Sequence, residues 1–235
     1  DGTQWYPEIV SDGLSGAIIV WTDFRRGKGS DIFGQRLDAY GNTLWQKDGL
    51  PICFAPENQA YPKLISDGAS GAIVAWDDFR RENFDIFAQR IDPSGKALWV
   101  TNGVEITKDE WNEERPAITW ASDGGAIICW ISRRGDNSDL YAQRINASGQ
   151  LLWGEGGISV SRAFGDQEHQ EVITSRDGGV IIAWEDSRNG PKNIFAQKVS
   201  EAGLILWDLD GVQLCFTDDD CEFPDLCEAE TGDAA

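Results

Sequence analysis

Residues 16–26 read GAIIVWTDFRR, and the same stretch returns as GAIVAWDDFRR at 71–81, GAIICWISRRG at 125–135 and GVIIAWEDSRN at 179–189. Its tryptophans, Trp21, Trp76, Trp130 and Trp184, stand 55, 54 and 54 residues apart. A second set, Trp45, Trp99, Trp153 and Trp207, recurs every 54 residues, as do Gln35, Gln89, Gln143 and Gln197. A fixed period of this length marks a repeat architecture in which each unit covers its neighbour's apolar face. The units run over about 1–55, 56–109, 110–163 and 164–216, and an acidic, cysteine-containing tail occupies 217–235.

Each unit divides into four strands at its turn residues. A short strand such as PEIV or PKLI comes first. GAIIVW is an uninterrupted apolar run, which implies burial on both faces. The third segment alternates, as in DIFGQRLD, and the fourth holds Leu-Trp and then an apolar stretch after Gly49, Gly103, Gly157 or Gly211. Asp, Asn and Gly between the segments supply tight-turn geometry. The expected fold is all-β: a four-bladed β-propeller with four antiparallel strands per blade. A closed ring of four is preferred over an open stack or part of a larger propeller.

Composition agrees. The chain has 235 residues, 41% of them hydrophobic, with Gly at 26 and Trp at 11. This supports a sizeable, turn-rich β core. A net charge of -20 repels phosphate backbones and anionic lipid, so nucleic acid is not expected as a partner. No apolar run approaches the roughly 20 residues of a membrane helix, so membrane insertion is not expected either. The chain begins at Asp1 and contains no Met, which suggests a processed mature protein or an excised domain.

The pattern SDGxSGAIVAWxDxRxxxxDIFAQRxDxxGxxLWxxNGV resembles the blade repeat of secreted and cell-surface bacterial β-propeller proteins, over about nine-tenths of the chain. That resemblance implies a propeller in an extracellular or cell-surface setting and no particular activity. The sialidase motif SxDxGxTW differs in spacing and ending.

A polar residue present in every repeat is expected to hold each blade together. Asp23, Asp78 and Asp186 precede Arg25, Arg80 and Arg188 by two residues, and Ser132 stands in the acid's place before Arg134. On a strand that spacing puts carboxylate and guanidinium on one face. Gln35, Gln89, Gln143 and Gln197 lie between apolar neighbours, so their amides should be buried and bonded to backbone. Function is sought where repeats differ, in the connections APENQAYP, KDEWNEERP and AFGDQEHQ and the N-terminal TQWYP. These carry Trp5, Tyr6, Tyr61 and Trp111, with Arg115 and His169 in the tyrosines' place, beside the acids Glu110, Glu113, Glu114 and Glu168. Aromatic faces next to carboxylates and Arg suit carbohydrate.

No cofactor is expected. Asp218, Asp219 and Asp220 offer hard oxygens for calcium but lack the spaced loop of a calcium site. Cys129 lies in a core strand and should be a free thiol. Cys53, Cys215, Cys221 and Cys227 are the disulfide candidates of an oxidising compartment. Asn146-Ala147-Ser148 matches a glycosylation sequon within a turn. The leading functional expectation is a non-catalytic binding or adhesion propeller with glycan or protein as ligand. A self-assembling structural subunit is second. A glycosidase-like enzyme with carboxylates such as Glu113, Glu114 or Glu168 as acid and base is third.

Overall fold

The computed structural model describes residues 2–135, 137–215 and 221–226. It contains four antiparallel sheets of four strands, each in simple sequence order. The first blade holds β1 (Gln4–Ser11), β2 (Ala17–Asp23), β3 (Asp31–Leu37) and β4 (Leu50–Cys53). The second holds β5 (Gln59–Ser66), β6 (Ala72–Asp78), β7 (Asp85–Ile91) and β8 (Val104–Glu105). The third holds β9 (Asn112–Trp120), β10 (Ala126–Arg134), β11 (Asn137–Ile145) and β12 (Ile158–Ser161). The fourth holds β13 (Gln167–Thr174), β14 (Val180–Asp186), β15 (Asn193–Val199) and β16 (Val212–Gln213). The chain is thus an all-β, four-bladed propeller. The Leu-Trp pairs sit in the turn before each fourth strand rather than inside it.

Burial follows from the apolar second strands. Every residue of β6 is buried, because both faces of that blade are covered. Three apolar cores join consecutive blades: Ile18, Val20 and Trp45 meet Val74 and Trp76, Ile73 and Trp99 meet Ile128 and Trp130, and Ile127 and Trp153 meet Ile182 and Trp184. Among the described residues no such core joins the fourth blade to the first, which departs from the closed ring preferred from the sequence.

The repeated polar residues form one unit per blade. Gln89 Nε2 donates to Val100 O at 2.8 Å, while its Oε1 accepts the Arg90 and Trp99 N–H groups. Gln35, Gln143 and Gln197 repeat this arrangement on Gln46 O, Gly154 O and Asp208 O. A wholly buried amide thereby ties the third strand to the following Leu-Trp turn. Asp78 accepts from Trp76 Nε1 at 2.9 Å and grips Arg80 through both oxygens. Asp23–Arg25 and Asp186–Arg188 do the same. Each guanidinium, that of Arg134 included, lies 3.8–4.3 Å from an aromatic ring centroid, adding cation–π attraction.

The third blade rearranges this unit. With Ser132 in the acid's place, Trp130 Nε1 has no partner. The carboxyl group has moved to Glu113, where Gln59 and Gln167 stand in the neighbouring repeats, and Ser132 Oγ donates to its Oε1 at 2.8 Å. Arg134 turns to Asp109 at 2.6 Å and Ser132 at 2.8 Å.

Candidate functional site at the channel

The first strand of every blade carries a bulge at the same place. Register shifts fall between Trp5 and Glu8, Ala60 and Lys63, Cys129 and Ile131 on the partner of β9, and Glu168 and Glu171. Within the bulges Tyr6, Tyr61, Arg115 and His169 have φ of 53°, 51°, 56° and 52°. Non-glycine residues adopt this left-handed conformation only where the surroundings hold them in it, and bulges re-aim side chains. Here the four equivalent side chains gather at one mouth. Tyr6 and Tyr61 pack with ring centroids 4.4 Å apart and hydroxyls at 3.3 Å.

Beside them lies a cavity of about 490 Å³, walled by Tyr61, Arg115, His169, Lys63 and Glu171, with Phe223 at its rim. One strand period beyond the bulge residues, the repeats place Glu8, Lys63, Ala117 and Glu171 at matching positions. Lys63 Nζ pairs with Glu8 at 2.5 Å. Glu171 opens onto the channel. The walls nevertheless remove enough hydration to raise its carboxyl above the usual range, with Asp225 and Glu8 reinforcing the rise and Lys63 opposing it.

Two further carboxylates stand behind the bulges, on the residue after the blade tryptophan. Asp77 is buried and accepts the Arg115 N–H at 2.9 Å. Burial drives its proton affinity well above the ordinary carboxylate range. Glu185 is equally buried, but Lys192 Nζ at 2.8 Å, the Phe223 N–H at 2.8 Å and His169 Nδ1 at 2.9 Å surround it. These contacts outweigh burial and hold Glu185 below its ordinary pKa.

Of the side chains singled out in the sequence, Tyr61, Arg115 and His169 wall the cavity and Tyr6 adjoins it through Tyr61. Trp5 packs edge-on against Tyr6 and Phe24. Trp111 is part-exposed on the preceding connection and is absent from the cavity wall. Glu113 is fully buried inside its blade, and Glu114 and Glu168 both pair with Arg133. These three acids therefore do not form the exposed acid–base pair considered from the sequence. Sequence reasoning missed Glu171, Glu8 and Lys63, which lie on the strands rather than in the connections.

Cys129 is buried with a free thiol. Cys53 is sealed against Asp78, Arg80 and Asn102 in the first interblade junction, so the structure does not bring it to the other disulfide candidates. The side chains of Cys215 and Cys221 are in contact with each other. Cys227 and the calcium candidates Asp218, Asp219 and Asp220 lie outside the described residues. Among the described residues no group of three or more His, Cys, Asp or Glu side chains could hold a metal ion.

No family model matches the chain, and no curated protein matches it closely. Solved structures do. An endo-1,5-alpha-L-arabinanase from Thermotoga petrophila aligns over 91% of this chain and 60% of its own, with TM-score 0.54 and 12% identity. A thermostable family-43 glycoside hydrolase aligns over 90% and 77%, with TM-score 0.51 and 11% identity. An N-acetylgalactosamine deacetylase from F. plautii, solved with blood group B trisaccharide, aligns over 89% and 69%, at 0.50 and 9%. The fold is shared with glycoside hydrolases. At these identities the likeness shows the fold alone. It runs against the order of readings drawn from the sequence, where chain length and the absence of a catalytic motif put a non-catalytic adhesion or structural propeller ahead of a glycosidase-like enzyme. The three neighbours named above are carbohydrate-active enzymes.

Proposed function

We propose that the chain is a glycosidase-like enzyme whose glycan substrate enters the cavity between Tyr61, Arg115 and His169. Glu171 supplies the proton to the leaving oxygen, and Glu8, 2.5 Å from Lys63 Nζ, is the second carboxylate. The observation that carries this reading is Glu171: among the described residues it is the one acid on the cavity wall, and its surroundings keep it protonated at higher pH than an ordinary glutamate. A glycosidase needs two carboxyl groups whose environments push their proton affinities apart. Tyr61 offers a ring face for a sugar's C–H surface, while Arg115 and His169 can donate to its hydroxyls. An extracytoplasmic setting belongs to the same proposal, on the repeat's resemblance to secreted propellers.

The test is hydrolysis of a panel of nitrophenyl glycosides by the purified chain. At least one should be cleaved, and Glu171→Gln should lower kcat about 100-fold or more with the melting temperature unchanged. Equal rates for chain and variant would remove Glu171 from the mechanism.

A further inference from the structure

We propose that residues 221–226 are the innermost strand of a fifth blade, and that the gap between the fourth and first blades is the seat for the rest of that blade. Residues 217–235 look like a tail that breaks the repeat. Phe223, however, stands 54 residues after His169, continuing the series Tyr61, Arg115 and His169, and Phe223-Pro224 follows Tyr6-Pro7, Tyr61-Pro62 and Arg115-Pro116. Its φ is 56°, within the range of the four bulges. Its N–H donates to Glu185, as the Arg115 N–H donates to Asp77, and each donor lies 38 residues after its carboxylate. The Cys221 N–H donates to Lys192 O at 2.7 Å, as those of Gln59 and Glu113 donate to Ser30 O and Phe84 O, all 29 residues apart. Two backbone contacts, together with the shared φ and the 54-residue spacing, thus place this segment where a next blade begins.

The gap has two unfilled faces. Trp45, Trp99 and Trp153 are 8–9% exposed, and each donates its Nε1 to a turn of the following blade, on Pro93, Ala147 and Glu201. Trp207, the fourth of the set, is 38% exposed. On the other side Trp76, Trp130 and Trp184 are at most 1% exposed, whereas Trp21 is only part-buried and Ile9 is 67% exposed. A Cβ on Gly95 or Gly203 would strike the preceding blade and one on Gly149 would crowd it, while Gly41 in the first blade faces open space. The first blade therefore presents a face shaped to receive a Trp207-type neighbour, and the fourth presents the knob. The occupant we assign is three further strands of this same repeat, because the first strand of that blade is already in register.

The test compares the full chain with one in which a copy of residues 173–215 follows Leu226, the continuation that Val172 has in the fourth repeat. Deuterium exchange is read by mass spectrometry, and mass by sedimentation. In the unaltered chain the Cys221 and Phe223 amides should exchange at least about tenfold slower than free peptide. In the extended chain, which should be monomeric, peptides holding Trp21 and Trp207 should slow by about tenfold or more. Free-peptide rates at Cys221 and Phe223, or unchanged exchange at Trp21 and Trp207 in the extended chain, would overturn the inference. So would an extended chain that fails to fold, or a stable dimer of the unaltered chain that already shields both tryptophans, which would give the faces to a second copy.

Discussion

Glu113→Gln should convert a pH-sensitive third blade into one like its neighbours. Burial, aided by the charge of Asp109, raises the Glu113 carboxyl from 4.5 to about 8, and Oε2 has no partner. The folded protein therefore holds a proton that the unfolded chain releases. The resulting stability is fully present below pH 4.5 and is lost as pH rises toward 8. At ~1.4 kcal/mol per pH unit, that interval corresponds to a loss on the order of 5 kcal/mol. For a domain of this size it equals a fall of roughly 10 °C in melting temperature. A glutamine cannot ionise. Its amide should donate to a loop carbonyl, as Gln59 Nε2 does to Pro56 O at 2.8 Å and Gln167 Nε2 to Gly165 O at 3.0 Å. Ser132 keeps its acceptor and Arg134 keeps Asp109. Asp77 and Asp85 also have raised proton affinities, so the wild-type slope is not due to Glu113 alone, and the difference between the two proteins isolates it. Melting curves by circular dichroism from pH 4 to 9 should coincide at the acid end and diverge by about 10 °C at pH 8.5. Parallel curves would refute the argument.

Trp99→Ala should cost about 3–5 kcal/mol, since it empties a sealed interblade site, and also remove the bond to Ala147. Trp207→Ala should cost about 1 kcal/mol, because its face is uncovered; denaturant unfolding of the two variants checks the ranking, and equal losses would contradict the open junction. Mild oxidation should join the Cys215 and Cys221 thiols with loss of two hydrogens, leaving Cys129 free. Mass spectrometry of tryptic peptides reads the pairing, and a bond to Cys53 instead would contradict the contacts described.

The blades were legible because a 54-residue period repeats the same core: GAIVAW dictates a doubly buried strand wherever it occurs, and a glutamine flanked by Phe and Ile can be buried only with its amide bonded. The third-blade exchange was also present in the sequence. Ser132 loses the acid that Glu113 supplies, and aligning Glu113 with Gln59 and Gln167 identifies it as a core residue rather than a loop acid. Tyr61, Arg115 and His169 could be found from their shared repeat position. Glu171 and Lys63 could not be distinguished from solvated strand residues, because their importance depends on how far the channel walls exclude water. Phe223 was hidden by the acidic residues around it, which read as a tail until backbone contacts set its register.

The central claim, that the cavity beside Glu171 takes a glycan for hydrolysis, is tested most directly by following anomeric proton signals by NMR in an oligosaccharide mixture incubated with the chain. New reducing-end anomeric signals should grow with wild-type protein and stay near baseline with Glu171→Gln, measured at equal folded concentration. No new signals with the wild-type chain, or equal growth with the variant, would contradict it.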